Sequence, residues 1–338
     1  MVPTLPDTTL TQKQCFIIGT RKSQLALAQA ELVRETLQKW YPHIEFRVHS
    51  MSTTGDRVLN VALNKVGEKS LFTKEFEIAL QDGQVDLVVH SLKDLPTVLP
   101  PGMHLGAVTK RENPHDAMVI SKKHKEHTLA TLPKGSVVGT SSLRRVAQLK
   151  RRYPLLIFKD IRGNINTRLM KLDSANGEFD AIILAVAGLR RLGMGDRITQ
   201  IIGPSDSLHA VSQGALGIEC REDDVECRQL LEKLNHDQTR IMCLSERSLM
   251  RTLEGGCTVP IGVNSWLKHN ERILCLRGLV ASLDGQNVVE FEDELSFANV
   301  TSTKEKEALA VQLGNAVAKA LINLGAGAIL NELSNIQH

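Results

Sequence analysis

Short apolar runs, each breaking into a polar cluster, recur along the first two thirds of this chain. Cys15-Phe16-Ile17-Ile18-Gly19 breaks into Thr20-Arg21-Lys22-Ser23, and Val85 to His90 into Ser91-Leu92-Lys93-Asp94-Leu95-Pro96. Ser136-Val137-Val138-Gly139 breaks into Thr140-Ser141-Ser142-Leu143-Arg144-Arg145. Leu155 to Phe158 leads to Arg162-Gly163-Asn164, and Ala181 to Ala185 to Gly188-Leu189-Arg190-Arg191. Each run has strand length, and the segments between carry helical spacing. One helix is expected from Thr20 to about Lys39, with Leu25, Ala28, Leu32 and Val33 on its inner face. Thr73 is a candidate cap for a helix ending near Gly83. Strands alternating with helices over short links predict α/β architecture with parallel sheets. In such sheets ligands bind beyond the carboxyl ends of the strands, where these clusters fall.

The pattern restarts near Asn113-Pro114, which predicts two similar lobes with a cleft between them. The strand Ala215 to Glu219 and a helix from Asp223 to Leu234 follow Val211. Beyond Glu254 the texture changes. Val259 to Trp266, Ile273 to Val280 and Val288 to Phe297 read as consecutive strands, with a hairpin turn at Ser282-Leu283-Asp284-Gly285. Helices at Lys304–Asn323 and Ala328–Leu333 complete a small α+β domain.

Charge points to the kind of partner. The segment 113–211 holds seven Lys and nine Arg against eight Asp and Glu, a balance of +8 in a chain of net charge +3. An anionic partner is implied. Nucleic acid is disfavoured: two Trp, two Tyr and eight Phe supply no aromatic ladder, and no nucleic-acid-binding motif is present. P-loop and GxGxxG motifs are absent too. No apolar run suggests a membrane span, and the first residues resemble neither a signal nor a transit peptide, so a cytoplasmic protein is expected. Six cysteines without ligand or disulfide spacing predict neither structural metal nor a disulfide framework. With no long apolar stripe unassigned, a monomer is expected.

Two residues stand out within this frame. Cys257 lies in Leu253-Glu254-Gly255-Gly256-Cys257-Thr258-Val259-Pro260, where glycines end a helix-period run and Pro260 bars its continuation. Asp94 is a carboxylate placed among cations, which suits stabilising positive charge as it develops. Taken alone, Cys257 fits a small buried thiol and Asp94 a helix cap or a salt bridge to Lys93. His90, inside its strand, reads as a packed core histidine.

Taken in order, the clusters resemble the porphobilinogen deaminase (hydroxymethylbilane synthase) family. The stretches that carry the likeness are Gly19 to Ala26, Ser52 to Asp56, Gly67 to Glu75, His90 to Pro96, Gly139 to Arg145, Ile161 to Asn164, Thr167 to Leu169, Gln213 to Gly217 and Glu254 to Pro260. The resemblance implies stepwise head-to-tail condensation of four porphobilinogens, with loss of ammonia, to 1-hydroxymethylbilane. It implies a dipyrromethane cofactor bound to Cys257 through a thioether, with Asp94 catalytic. By family position, Ser91, Lys93, Thr140, Ser141, Ser142, Arg144, Arg145 and Arg168 hold the cofactor. Arg21, Ser23, Gln29, Arg162 and Arg191 face substrate, and Lys69 and Phe72 belong to an active-site loop. Each pyrrole carries an acetate and a propionate, so the growing chain is a polyanion that suits the basic lobe.

The family's lobes are periplasmic-binding-protein-like, and the first is discontinuous. The expected division is 15–112 with 212–236, then 113–211, then 237–338 carrying the cysteine. Ser212 departs from the family's usual Gly beside the Gln213-Gly214 hinge. The length of uninterrupted match suggests an animal-like member. A non-catalytic anion binder and an RNA binder are the readings of other classes, and neither has a use for both Cys257 and Asp94.

Overall fold

The computed structural model describes residues 13–52, 70–124, 126–253 and 259–337. The stretches that include Lys69 and Cys257 lie outside the described residues. The first sheet has the order β2-β1-β3-β10-β4, from β1 (Cys15–Arg21), β2 (Glu45–Met51), β3 (Leu87–Ser91), β4 (Met103–Val108) and β10 (Leu216–Arg221). The second has the order β7-β6-β8-β5-β9, from β5 (Asp116–Ile120), β6 (Val137–Gly139), β7 (Ile157–Lys159), β8 (Ala181–Ala185) and β9 (Gln200–Ile202). The third is an antiparallel set of β11 (Ile261–Lys268), β12 (Ile273–Ala281) and β13 (Val288–Ser296).

The two large sheets are mixed, which corrects the expectation of parallel sheets. Strand β10 runs antiparallel to both β3 and β4, because the chain re-enters the first sheet after completing the second. Likewise β5 is antiparallel to β8 and β9. The strands that end in polar clusters do keep the parallel relation, β1 with β3 and β6 with both β7 and β8. Their carboxyl ends therefore open on one side of each sheet.

Helix α1 (Gln24–Trp40) starts at Ser23, whose side chain accepts from the Ala26 N–H. Its buried face is Ala26, Gln29, Ala30, Val33 and Leu37. Of the four residues expected inside, Val33 is buried and Leu32 is 49% exposed, so the true stripe is rotated from the expected one. Helix α2 (Ser70–Gln81) already includes Thr73. Thr73 is therefore a buried interior residue and not a cap.

The basic clusters open α3 (Leu143–Arg152) and α4 (Ile165–Asp173) and close α5 (Val186–Arg191). Helices α6 (Val225–Glu232) and α7 (Asp237–Thr252) follow β10, and α8 (Thr303–Leu321) and α9 (Gly327–Gln337) end the chain. The stretch Thr303–Glu332 is long and apolar enough to cross a membrane by length and composition, contrary to the sequence expectation. In the structure α8 packs on α7 and the third sheet, with Ala310, Leu313, Val317, Ala318 and Leu321 buried in one core.

The return crossing is a strained turn. Gly214 has φ 95°, and a Cβ there would sit 2.3 Å from the Glu112 carbonyl oxygen, so only Gly fits. Ser212, two residues earlier, has φ 61° and is fully buried. An L-residue in this region is disfavoured by about 1–2 kcal/mol, while Gly costs about 0.5–1 kcal/mol through chain entropy. Ser212→Gly is therefore expected to stabilise slightly, raising Tm by about one or two degrees. A melting curve shifted downward by several degrees would show that the Ser212 side chain matters more than its strain.

Candidate active site

The carboxyl ends of β1 and β3 face those of β6 and β8 across a cleft of about 690 Å3. Lobe-one elements bring Arg21, Ser23, Gln29, Ser91, Lys93 and Asp94 to its wall, and the basic lobe brings Arg145, Arg168 and Arg191. Nine of the residues picked from sequence thus meet in one cavity. Gln29 Nε2 donates to Ser91 Oγ at 2.9 Å, tying the helix after β1 to the end of β3. Asp94 closes a short 3-10 turn, Leu92–Asp94, and is exposed to the cleft.

Electrostatically the cleft is a set of cations awaiting anions. Among the described residues, Lys93, Arg168 and Arg191 make no ion pair within 4 Å. Arg168 Nε donates to the Gly163 carbonyl at 2.8 Å, and Arg191 Nη2 to the Gly214 carbonyl at 2.6 Å. Burial pushes both guanidiniums down to about 10; the nearby charge of Arg145 adds to this for Arg168, and Glu112 opposes it for Arg191. Burial also lowers the Lys93 ammonium, against the pull of Asp94. Arg145 Nε is buried with no partner among the described residues. Desolvated cations and an unused donor suit carboxylates delivered by a ligand.

Arg144 departs from the sequence assignment. It is not on the cleft wall. Its Nη1 donates to Asp116 Oδ2 at 2.8 Å and to the Leu208 carbonyl at 2.6 Å. The reason is helical phase: adjacent residues on α3 point about 100° apart, so Arg145 reaches the cleft and Arg144 turns inward. Thr140 is buried, with its Oγ1 accepting from the Ser142 N–H at 3.3 Å. Ser141 is engaged with the Ile161 backbone at 2.8 Å, and Ser142 caps α3 without a side-chain bond. None of these three lines the cleft. Arg162 is also off the wall, with Nη2 3.2 Å from the Asp160 carboxylate. Phe72 falls in the first turn of α2.

Sequence reasoning missed Asp116, Gln213 and Glu246 as site-building residues. Asp116 accepts from Arg144, from Arg145 Nη2 at 2.7 Å and from Gln213 Nε2 at 2.9 Å. Burial alone would raise its carboxyl, but the two guanidiniums override this and hold it far below the usual carboxylate range. Gln213 Oε1 lies 3.4 Å from Lys93 Nζ. Arg111 forms a two-pronged pair with buried Glu246 at 2.6 and 3.0 Å and donates to the Gln213 carbonyl at 2.8 Å. This buried chain joins α7, the hinge and the basic wall.

The family model described as porphobilinogen deaminase, dipyromethane cofactor binding domain, matches residues 16–229. The model for the porphobilinogen deaminase C-terminal domain matches residues 240–323. A porphobilinogen deaminase from Nostoc sp. is 55% identical over 316 residues, covering 94% of each chain. One from Synechococcus elongatus is also 55% identical over 94% of each chain. One from Gloeobacter violaceus is 54% identical over 94% of this chain and 93% of its own. These relatives are cyanobacterial, and the animal-like reading of the match finds no support in them. The crystal structure of the Bordetella pertussis BvgS periplasmic VFT2 domain aligns with 65% of this chain and 86% of its own, at 13% identity and a TM-score of 0.37.

Proposed function

The chain belongs to the porphobilinogen deaminase family, and on that premise we propose which of its residues bind, orient and react. The enzyme joins four porphobilinogen molecules head to tail, with release of ammonia, to give 1-hydroxymethylbilane in tetrapyrrole biosynthesis. Its dipyrromethane cofactor supplies a covalently held pyrrole to which the first substrate is joined. Lys93, Arg168 and Arg191, which line one cleft with exposed Asp94 and make no ion pair among the described residues, carry the residue assignments.

In this reading Lys93, Arg145 and Arg168 hold cofactor carboxylates. The fit rests on the orphaned Arg145 Nε and on Lys93 and Arg168, which line the cleft and make no ion pair among the described residues. Arg21, Ser23, Gln29 and Arg191 orient the incoming acetate and propionate. Asp94 accepts the pyrrole N–H and stabilises the cation left when ammonia departs. Cys257 anchors the cofactor through a thioether. Ser91 acts through Gln29, Thr140 to Ser142 by shaping the start of α3, and Arg162 at the rim. Lys69 and Phe72 belong to the family's active-site loop, with Phe72 on the first turn of α2.

The domain division is 15–112 with 212–236, 113–211 and 237–338, supported by the return of β10 to the first sheet. We place the enzyme in the cytoplasm as a monomer. Sedimentation at working concentration checks the second point, and a dimer would reject it.

Arginine variants test the carboxylate sites. Losing a charge-assisted hydrogen bond costs about 1.5–3 kcal/mol, or about 10–100-fold in affinity. Arg145→Ala is expected to lose cofactor in that measure. Arg191→Ala is expected to keep its cofactor and raise KM for porphobilinogen. Arg151→Ala, on the exposed flank of α3, should be silent. Arg144→Ala should act on folding, destabilising by about 3–5 kcal/mol by breaking a buried pair. Intact mass, steady-state kinetics and melting separate these effects. Equal kinetic losses in Arg145, Arg191 and Arg151 variants would reduce the sites to a general field.

A further inference from the structure

Arg247 lies on α7, is 3% exposed, and faces no carboxylate within ion-pair distance among the described residues. A guanidinium buried without a counter-charge is costly, so its position needs a reason. Its Nη1 donates to the Leu95 carbonyl at 3.0 Å and to the Leu92 carbonyl at 3.4 Å, and its Nη2 donates to the Pro96 carbonyl. Those carbonyls flank Lys93 and Asp94 on both sides. One turn further along the same helix face, Arg251 Nη2 donates to the Thr97 carbonyl at 3.1 Å.

The segment it grips cannot hold itself. A three-residue 3-10 turn has few bonds of its own; here Leu95 N–H donates to the Leu92 carbonyl at 3.3 Å, and Leu92 N–H to the Ala215 carbonyl at 3.0 Å. A planar guanidinium reaches several carbonyls at once, which a lysine ammonium does not reproduce. The helix that carries Arg247 ends at Thr252, five residues before Cys257 in sequence. We infer that Arg247 is a positioning residue for the condensation: it clamps the Lys93–Asp94 turn to the helix leading into the cofactor loop, and so sets Asp94 against the reacting pyrrole. The inference rests on the reading of Asp94 as the charge-stabilising carboxylate.

Arg247 touches neither cleft nor substrate, so its loss should slow the step without loosening binding. A displacement of about 1 Å at the reacting group costs on the order of 10²-fold. The test is single-turnover elongation of full-length holo-protein, followed by mass spectrometry, with KM, cofactor mass and Tm measured on the same samples. R247Q is expected to be slower by about 10–100-fold at saturating porphobilinogen, with KM within about threefold of wild type. R247K should recover part of the rate. In an Asp94→Asn background R247Q should add less than about threefold, because both act at one group.

A folded R247Q holo-protein elongating within twofold of wild type would overturn the inference, as would fully multiplicative losses in the double variant. If R247Q does not fold, R247K decides: slower elongation at unchanged KM supports the clamp, and wild-type elongation rejects it. Asp94→Asn alone separates the two readings. If it elongates normally, the assignment of Asp94 has failed and the clamp falls with it. If it is slow while the Arg247 variants are normal, only the clamp fails.

Discussion

Cys257→Ser is expected to yield a folded protein without cofactor and with almost no activity. The other thiols leave little competition. Cys220, Cys227, Cys243 and Cys275 are buried. Burial pushes the Cys243 thiol up to about 11, and burial likewise raises Cys275. Hydrogen bonding to Cys220, then burial, raises Cys227. Raised thiols are poor nucleophiles. Cys15 is partly accessible but starts β1, and the cleft lies beyond Arg21 at the other end, roughly 20 Å away by strand rise. Cys257 alone follows a Gly-Gly pair in the sequence and is the residue proposed to hold the cofactor. Desalted, denatured wild type should be heavier than its bare chain by about two pyrrole units, several hundred daltons, and should stain with Ehrlich's reagent. Replacing any of the other five by Ala or Ser should leave that mass in place. Pyrrole staining that survives in Cys257→Ser would reject the attachment site.

Which residues meet in the cleft was legible where a polar cluster follows a strand. Arg21, Lys93, Asp94, Arg145 and Arg191 each belong to the cluster that follows an apolar run, and all five line one cleft. His90 was legible as core for the same reason; it is buried and pairs with Glu219 at 2.9 Å. Direction within a helix was less legible. Neighbouring arginines look alike in sequence, yet Arg144 is spent on Asp116 and Leu208 while Arg145 faces the cleft.

Long-range pairing was not legible in the local pattern. The return of the strand after Val211 to the first lobe was expected only through the family resemblance, its antiparallel direction was not read, and β4 and β9 went unseen because short edge strands lack a strong period. The buried links through Asp116, Gln213, Glu246 and Arg247 join residues about 30 to 150 positions apart, and nothing local marks them.

Asp94 carries the other large effect, and its variants separate charge from geometry. Departure of ammonia leaves a cation shared by the pyrrole nitrogen, and a carboxylate facing that nitrogen stabilises charge most as it develops. Such an interaction lowers the barrier, where uniform binding would only lower KM. Asp94→Glu keeps the charge and displaces it by one methylene, which should slow elongation by about 10²-fold. Asp94→Asn keeps the shape and loses the charge, and should cost about 10³-fold, the upper range for removing one pre-set electrostatic partner. Both should retain cofactor, because Lys93, Arg145 and Arg168 remain. The Asn variant should accumulate partly elongated enzyme forms, since each addition meets the same barrier. Single-turnover elongation on holo-protein reads both rates. Elongation by Asp94→Asn near the wild-type rate would make the carboxylate structural, and the charge set around it would then serve binding alone.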